Sequence, residues 1–461
     1  MHLARLEEAI LGAEQFDGEW WLPESPDHVV AGSLTISDEG QIELRLFDSL
    51  RSEFYGMEPQ TAEDGSVAYT MTTESLAAQG KYPRILGRFG SSGCTLDDCF
   101  SVHRTMKLLG GRSSERIHVR RMFKNVHFSG DESLRFSDIV IHVDGLTHWT
   151  AMTGMKESVR FQERKNQSDK VLDHTLEIKH VPTKKFSGPD GATFELGHTY
   201  RIQGNAITER TFAQDFYFAA DHGSLVDLDR LLTEASALQD LISIAIGRPA
   251  AFTSVSLRHP GVFEKVGTRK VPTPIDMVAP WTVKRPVNAK PLNHHSLWFR
   301  LDDLGGVASL SNWLDVALAN RSTLSRVMTT KYAAGMYATD HLFNCAAALE
   351  AYDRQSTSKG PYLTRIKRCI YHAGAEFAEL VGDTSKWAAV LKDGRNTVAH
   401  HNANIVGAST EQIIMGRSAF WLFVLCLFRD AGFPDTVFAR IVEHPEWHWL
   451  KGQVSSVLAD A

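Results

Sequence analysis

The chain has 461 residues, of which 43% are hydrophobic and 23% are charged. This composition excludes an intrinsically disordered chain, and the length predicts roughly two to four domains at about 100 to 200 residues each. The net charge of −6 argues against a broad nucleic-acid-binding surface, although the acidic excess lies before residue 305.

The residue pattern in the first part of the chain predicts strands. Apolar and polar residues alternate around Leu34 and Ile36, over residues 42–46 and over residues 139–143, and Gly or Asp separates these segments. Such alternation is typical of half-buried antiparallel strands. We therefore expect a β-rich N-terminal domain, built as a sandwich or a barrel, over residues 1–300.

One long helix is predicted within this domain, near residues 224–246. Ser224 precedes an apolar stripe that runs from Leu225 to about Ile246, and Gly247-Arg248-Pro249 predicts its end. Residues 271–291 are rich in proline and lack a regular period, so we expect irregular chain near the end of the domain.

From about Leu310 the hydrophobic period becomes helical. The pattern predicts one long or broken helix over 310–328, a helix over 337–352, a loop at 356–361, a helix through Arg368, a helix anchored by Trp387 and a closing helix over 413–428. The fold class is therefore α+β, with an all-α bundle over residues 301–461 after the β-rich domain.

The cysteines and the start of the chain predict a cytoplasmic protein. Five widely spaced cysteines give no disulfide framework and suit a reducing compartment. Glu7 and Glu8 interrupt the apolar region that a secretion signal needs. The longest apolar run, residues 419–428, is far below the ~18 residues of a membrane span, so we expect a buried helix there and no membrane association.

The hexapeptide Arg395-Asn396-Thr397-Val398-Ala399-His400 is the strongest indication of function. Arginine keeps its charge and binds phosphate oxygens, while histidine titrates near neutrality and can move a proton. Metal-free RNA cleavage uses both, because a ribose 2′-hydroxyl attacks the adjacent phosphodiester and forms a phosphorane whose oxygens bear extra negative charge. This chemistry requires no metal and no other cofactor.

The spacing of the motif leaves two interpretations open. On a helix Asn396 and His400 share a face, whereas Arg395 lies roughly 140° from His400 at ~100° per residue. Gly394 could allow the backbone to distort, so that Arg395 curls back. The alternative is structural: Arg395 makes an ion pair, Asn396 caps a helix after an Asp393-Gly394 turn, and His400 is a polar residue with satisfied hydrogen bonds.

Glu350 closes the amphipathic helix predicted over residues 337–352. Its carboxylate could face the next long helix and hold the Arg395 guanidinium through two parallel charge-assisted hydrogen bonds. The alternative is an ordinary exposed helix residue.

A basic stretch lies between Glu350 and the motif, formed by Arg365, Lys367 and Arg368 with Tyr371 beyond them. We predict RNA binding there, with the cations on phosphates and the ring against an unstacked base. A solvated helix face is the alternative.

Two clusters could hold a metal, and both have a simpler explanation. Cys94, Cys99 and His103 could supply three zinc ligands, but a fourth ligand at a familiar spacing is missing, and small buried residues beside a strand explain them equally well. The His- and Trp-containing residues 444–449 predict a packed C-terminal helix. We expect no metal.

Arg395, Asn396 and His400 resemble the motif of the HEPN ribonuclease superfamily, an Arg-x4–6-His pattern, usually with Asn after the Arg, on the third helix of a small bundle. The resemblance implies that these three residues are catalytic and that Glu350 corresponds to the acidic residue that supports the Arg. His401 has no role in the pattern. The resemblance also implies a homodimer through this domain, with the two motifs in one cleft. The alternative is an inactive HEPN-like dimer that binds RNA or a partner protein.

Short motifs in the front part resemble the N-terminal domain of ApeA-type anti-phage proteins, which join it to a C-terminal HEPN domain. They are Pro23-Glu24-Ser25-Pro26, Gly32-Ser33-Leu34, Gly40-Gln41-Ile42-Glu43-Leu44, Ile85-Leu86-Gly87 and Gly93-Cys94-Thr95-Leu96-Asp97-Asp98-Cys99. The resemblance implies an endoribonuclease of abortive infection, cutting tRNA or another structured RNA and leaving 2′,3′-cyclic phosphate and 5′-hydroxyl ends. The N-terminal domain would sense a phage-derived trigger.

Overall fold

The structure is a computed structural model of the chain. It describes residues 14–38, 40–51, 58–61, 67–70, 80–105, 113–129, 133–162, 170–283, 292–293, 296–333, 335–356, 359–399 and 409–460. The chain forms two compact units that do not follow chain order. Unit 1 contains Met1–Asp144, Asp221–Leu231 and Ala251–Ala289, and unit 2 contains Gly145–Ala220, Leu232–Ala250 and Lys290–Ala461.

The strands come first in the chain and the helices dominate its end. The strands are β1 (Glu14–Leu22), β2 (Ser25–Ile36), β3 (Ile42–Leu46), β4 (Glu58–Thr61), β5 (Val67–Thr70), β6 (Lys81–Phe89), β7 (Ser92–Thr105), β8 (Ser114–Lys124), β9 (Arg135–Val143), β10 (Met155–Gln162), β11 (Lys170–Ile178), β12 (Lys184–Ser187), β13 (Thr193–Asn205), β14 (Glu209–Asp227), β15 (Phe252–Arg258), β16 (Phe263–Val266), β17 (Arg269–Pro272) and β18 (Ile275–Val278). The α-helices are α1 (Leu146–Thr150), α2 (Leu228–Ala245), α3 (Pro280–Val283), α4 (Ser309–Ala319), α5 (Arg321–Tyr332), α6 (Ala338–Ser356), α7 (Tyr362–Ala373), α8 (Ala375–Val381), α9 (Thr384–Ala399), α10 (Ser409–Asp430), α11 (Asp435–Glu443) and α12 (Pro445–Asp460).

Unit 1 is built on a closed antiparallel barrel in the order β1, β2, β3, β8, β7 and β6, with β6 pairing back to β1. Of the predicted sandwich or barrel, the barrel is therefore present. The predicted alternation is confirmed because the inward-facing residues fill its interior. Those from β2 and β3 are Val30, Leu34, Ile36, Ile42, Leu44 and Leu46, all buried. Strand β18 pairs with β8, and β15 and β9 continue from β18.

Trp20 occupies the barrel interior and explains one glycine of the front motifs. A Cβ on Gly87 would lie 2.2 Å from the Trp20 ring, so a larger residue cannot fit there. Cys94 and Cys99 are buried in the same interior, in line with the packing explanation. Within the part of the chain that the structure describes, no group of three His, Cys, Asp or Glu side chains is placed to hold a metal ion.

Helix α2 begins later than predicted. Strand β14 continues through Asp227, so the predicted start at Leu225 is wrong by three residues. The backbone N–H of Leu228 donates to Leu134 O at 2.8 Å, a long-range bond that sequence periodicity does not reveal. The end of the helix is confirmed, since Ala245 is its last residue and Gly247 has a φ of 71°.

The helices of unit 2 follow the predicted order. The helix predicted over 310–328 is broken at Asn320, between α4 and α5. Residues 419–428 are buried in α10, the predicted closing helix. Helix α10 is long and apolar enough to cross a membrane, but 83% of its apolar window is buried inside the fold, as in the core helix of a soluble protein.

Part of α2 packs into the helical region of unit 2. Trp313 Nε1 donates to Ala237 O at 2.8 Å, and the buried Asp240 accepts hydrogen bonds from Arg321 Nη1 at 2.7 Å and Tyr332 OH at 2.6 Å. Packing therefore assigns residues 232–250 to the helical unit, which differs from the division predicted between residues 300 and 301.

Candidate active site

Arg395 lies inside a regular helix. Helix α9 runs without interruption through Gly394 and Asn396, so both the predicted distortion at Gly394 and the alternative helix start at Asn396 are wrong. The glycine has another function. A Cβ on Gly394 would lie 3.0 Å from Leu342 Cδ2, so its absence allows α9 to approach α6 closely.

The carboxylate of Glu350 joins two arginines. Its Oε2 accepts a hydrogen bond from Arg395 Nη2 at 3.0 Å, and its Oε1 accepts one from Arg354 Nη2 at 2.6 Å. The expected pair of parallel bonds from Arg395 is therefore wrong, because Arg354, one turn along α6, takes the other oxygen. Glu350 is 15% exposed, so it is not the freely solvated residue of the alternative reading.

Two further residues fix the Arg395 guanidinium. Its Nη1 donates to Asn396 Oδ1 at 3.2 Å. The ring of Tyr362, the first residue of α7, lies beneath the guanidinium, with Cζ 5.2 Å from the ring centre, within the range of a cation–π contact. A carboxylate, an amide and an aromatic face therefore restrain one cation.

The charge at this site is positive. Two guanidiniums share the single carboxylate of Glu350, and Arg395 remains 30% exposed. Burial raises the pKa of Tyr362; Arg395 opposes this effect and Glu350 adds to it. The Tyr362 hydroxyl therefore stays neutral near pH 7 and lies 3.4 Å from Ala346 O, to which it donates. An exposed guanidinium in a net positive site can accept a phosphate group.

His400 lies outside the described residues, as does His401. The described part of α9 ends at Ala399, immediately before His400. The position of the His400 imidazole relative to Arg395 therefore stays a prediction.

The residues predicted to bind RNA separate into two groups. Arg365 is only 5% exposed, and both Arg365 Nη1, at 2.9 Å, and Arg368 Nε, at 2.7 Å, bond to the buried Asp353. For Arg365 the predicted RNA contact does not fit, since its charge is enclosed by the fold. Lys367 and Tyr371 are exposed, Tyr371 by 90%, and can meet a ligand.

Sequence reasoning missed Arg354 and Tyr362 at this site, and it missed the partly buried His341 at the start of α6. Arg354 lies four residues after Glu350, and this spacing could have revealed it. His341 packs on α10, where a Cβ on Gly416 would lie 2.3 Å from His341 Nδ1. Burial, together with the charges of Lys331 and Arg417, lowers the pKa of His341 to about 4.

The C-terminal histidine cluster is packed in part, because His444 and Trp447 are buried while His448 and Trp449 are exposed. The His444 ring stacks on Trp298 with the ring centres 3.9 Å apart, and Trp447 is buried on α12.

Residues 15–313 match the family described as ApeA N-terminal domain 1. The chain belongs to this family. The ApeA match covers more than half of the chain and includes the described strands, so the ApeA part of the predicted resemblance is confirmed. Membership of the ApeA family points to an anti-phage defence protein.

The ApeA match ends at Trp313, within α4, and the Arg395 site lies beyond it. No curated protein and no solved structure shows a significant match to the chain.

Proposed function

We propose that this ApeA-family chain is a metal-independent RNA endonuclease of the HEPN type that acts in anti-phage defence by abortive infection. One observation carries the proposal. The guanidinium of Arg395 is restrained by Glu350, Asn396 and Tyr362 and remains partly exposed, on the helix that leads directly to His400.

In the proposed reaction, the ribose 2′-oxygen attacks the adjacent phosphorus and the bond to the 5′-oxygen breaks. His400 removes the 2′-hydroxyl proton or protonates the leaving 5′-oxygen. Arg395 neutralises the charge of the phosphorane, and preorganisation of the guanidinium means that little reorientation is needed as this charge develops. The products are a 2′,3′-cyclic phosphate end and a 5′-hydroxyl end.

The other parts of the proposal concern partners. Lys367 and Tyr371 are exposed on α7, the helix that also supplies Tyr362, and we propose that they contact the RNA, either tRNA or another structured RNA. We propose that the protein is cytoplasmic. A homodimer through the helical domain would place two motifs in one cleft. The N-terminal domain would restrain cleavage until it meets a phage-derived trigger.

A second candidate function is a catalytically inactive module that binds RNA or a partner protein. The contacts of Arg395 favour it in one respect, because Nη2 already bonds to Glu350 and Nη1 to Asn396. A guanidinium whose terminal nitrogens both have protein partners can serve as a structural link between helices.

Mapping of RNA ends separates these two functions. Wild type, Arg395→Ala and His400→Ala are expressed, and 5′-hydroxyl ends are mapped in total cellular RNA and after incubation of purified protein with RNA. Arg440→Ala and His448→Ala serve as matched controls, since both residues are exposed on other helices. We expect cleavage that resists chelator. Arg395→Ala and His400→Ala should lose this cleavage, and the two control variants should retain it.

A positioned acid or base contributes about 10² to 10⁴ in rate, so His400→Ala is expected to lose that much while keeping the wild-type melting temperature. Normal cleavage by His400→Ala, or complete loss of cleavage on addition of chelator, would contradict the mechanism. RNA binding without turnover would support the inactive module.

A further inference from the structure

A cavity lies in unit 2, and its wall carries both polar and apolar surface. It has a volume of about 450 Å³ and opens between the C-terminal end of α6, α7 and the end of α10. The described residues that line it include Asn320, Tyr352, Asp353, Arg368, His372 and Asp430, and they do not include Glu350 or Arg395. The volume is in the range of pockets that bind small molecules.

Asn320 gives the first indication of a ligand. Its side chain is 6% exposed, and its Nδ2 donates to Val316 O at 2.9 Å. Its Oδ1 is buried and has no hydrogen-bond partner among the described residues. A buried acceptor without a partner destabilises the fold, so a ligand hydroxyl that donates to this oxygen is favoured.

His372 gives the second indication. Its Nε2 lies 2.7 Å from Asp430 Oδ1, and Tyr352 OH donates to Asp430 Oδ2 at 2.6 Å. Because Nε2 is paired with Asp430, Nδ1 is the nitrogen left for a ligand: it donates to a phosphate oxygen when the ring is protonated and accepts from a phosphate P–OH group when the ring is neutral. The side chain of His372 is 43% exposed at the cavity wall.

Arg368 supplies a cation to the same wall. Asp353 accepts hydrogen bonds from both Arg365 and Arg368, so the two guanidiniums share this carboxylate, while Asp430 adds a second carboxylate to the wall. The oxygens of Asp353 and Asp430 all have protein donors. The wall therefore presents the 35% exposed guanidinium of Arg368 and the imidazole of His372, a combination suited to a phosphate group.

We propose that this cavity binds a small phosphate monoester that carries hydroxyl groups. The phosphate contacts Arg368 and His372, and a hydroxyl donates to Asn320 Oδ1. Both sugar phosphates and nucleoside monophosphates have this chemistry. The proposal is independent of RNA cleavage at Arg395, because no residue is shared between the two sites.

Calorimetric titration of the full-length protein tests the proposal, with ribose 5-phosphate, glucose 6-phosphate, the four nucleoside monophosphates, ribose and inorganic phosphate as probes. We expect at least one phosphate monoester to bind more tightly than both ribose and inorganic phosphate. Whether a sugar phosphate or a nucleotide binds best identifies the source.

Variants of two lining residues test whether the phosphate monoester binds in this cavity. His372→Gln and Arg368→Gln are each expected to weaken the Kd about tenfold or more, since a hydrogen bond to a charged group is lost. The control Lys451→Gln removes a charge at an exposed position on α12 that does not line the cavity. It is expected to leave the Kd unchanged.

Since Arg368 also bonds to the buried Asp353, Arg368→Gln is accompanied by a thermal melt. If it fails to fold, His372→Gln decides the matter, because this exposed side chain has Asp430 as its hydrogen-bond partner. Absence of binding by every phosphate monoester, preference for inorganic phosphate alone, or a Kd that His372→Gln leaves unchanged would overturn the proposal.

Discussion

Arg395 and Glu350 form a hydrogen-bonded ion pair, 3.0 Å long, between helices α9 and α6. The second oxygen of the same carboxylate is taken by Arg354 at 2.6 Å. The orientation of the Arg395 guanidinium thus depends on a residue that carries no proton in the proposed reaction.

Replacement of this carboxylate tests its positioning role. Glu350→Gln keeps the shape of the side chain but loses the ionic partner of both arginines, so we expect cleavage to fall by about 10- to 100-fold as Arg395 loses its orientation. Stability should change by less than about 1 kcal/mol, because both arginines are partly exposed. Cleavage rates and thermal melts are compared with those of Glu379→Gln, an exposed position on α8. Unchanged cleavage would show that Arg395 needs no carboxylate.

Arg395→Lys tests whether cleavage requires the several hydrogen-bond donors of the planar guanidinium. A lysine keeps the charge but cannot bond to Glu350 and Asn396 together while facing a phosphorane, so we expect cleavage to fall by about 10² to 10³ with the melting temperature retained. Arg440→Lys is the matched control. If Arg395→Lys cleaves at the wild-type rate, Arg395 contributes only its positive charge.

Two variants of Tyr362 distinguish the contribution of its aromatic ring from that of its hydroxyl. Tyr362→Phe keeps the aromatic face beneath Arg395 and should cleave nearly as the wild type does, whereas Tyr362→Leu removes the cation–π contact, worth about 0.5–2 kcal/mol, and should lower the rate severalfold. Steady-state cleavage of one RNA by the two variants gives the comparison. An equal defect in the two variants would assign the role to the hydroxyl instead, since both lack it.

His341 predicts a dependence of stability on pH. Its pKa is lowered to about 4 in the folded protein, compared with 6.5 in the unfolded chain, so the unfolded state binds more protons between these values. The stability contribution is complete above about pH 6.5 and is lost as the pH falls towards 4. It amounts to at most about 3 kcal/mol. Urea unfolding at pH 7.5 and pH 5 measures it, and His341→Leu should unfold with a weaker pH dependence than the exposed-site control His448→Gln.

Asp240 tests whether α2 belongs to the helical unit. Asp240→Ala leaves Arg321 and Tyr332 without their buried partner, so the free energy of unfolding should fall by about 2–3 kcal/mol, less than for a fully enclosed pair because Arg321 is partly exposed. Denaturant titration against Asp460→Ala, at an exposed position near the end of α12, gives the difference. For the same reason, a chain that begins at residue 301 is expected to be less stable than one that begins at residue 145.

Strands and helices that depend on residues close together in the sequence could be predicted. The alternation around Leu34 and Ile42 predicted barrel strands because each side chain alternates between interior and solvent. The apolar run before Phe428 predicted a buried helix for the same kind of reason. The contact between Glu350 and Arg395 was expected from the family resemblance.

What the sequence did not reveal depends on distant partners. The start of α2 at Leu228 follows from a bond to Leu134, and Tyr362 reaches Arg395 only because α7 and α9 pack together. Both outcomes are decided by tertiary geometry, which no spacing rule contains. The competition of Arg354 for Glu350 could have been predicted, because the two residues lie four apart on one helix.

The interleaved course of the chain has a consequence for synthesis on the ribosome. Unit 1 includes residues 251–289, so its last segment emerges only after two segments of unit 2 have been translated. Residues 145–220 and 232–250 must then wait for α12 before their own unit is complete. The nascent polypeptide therefore finishes its β-barrel unit first, and a truncated translation product would carry that unit without a finished helical unit.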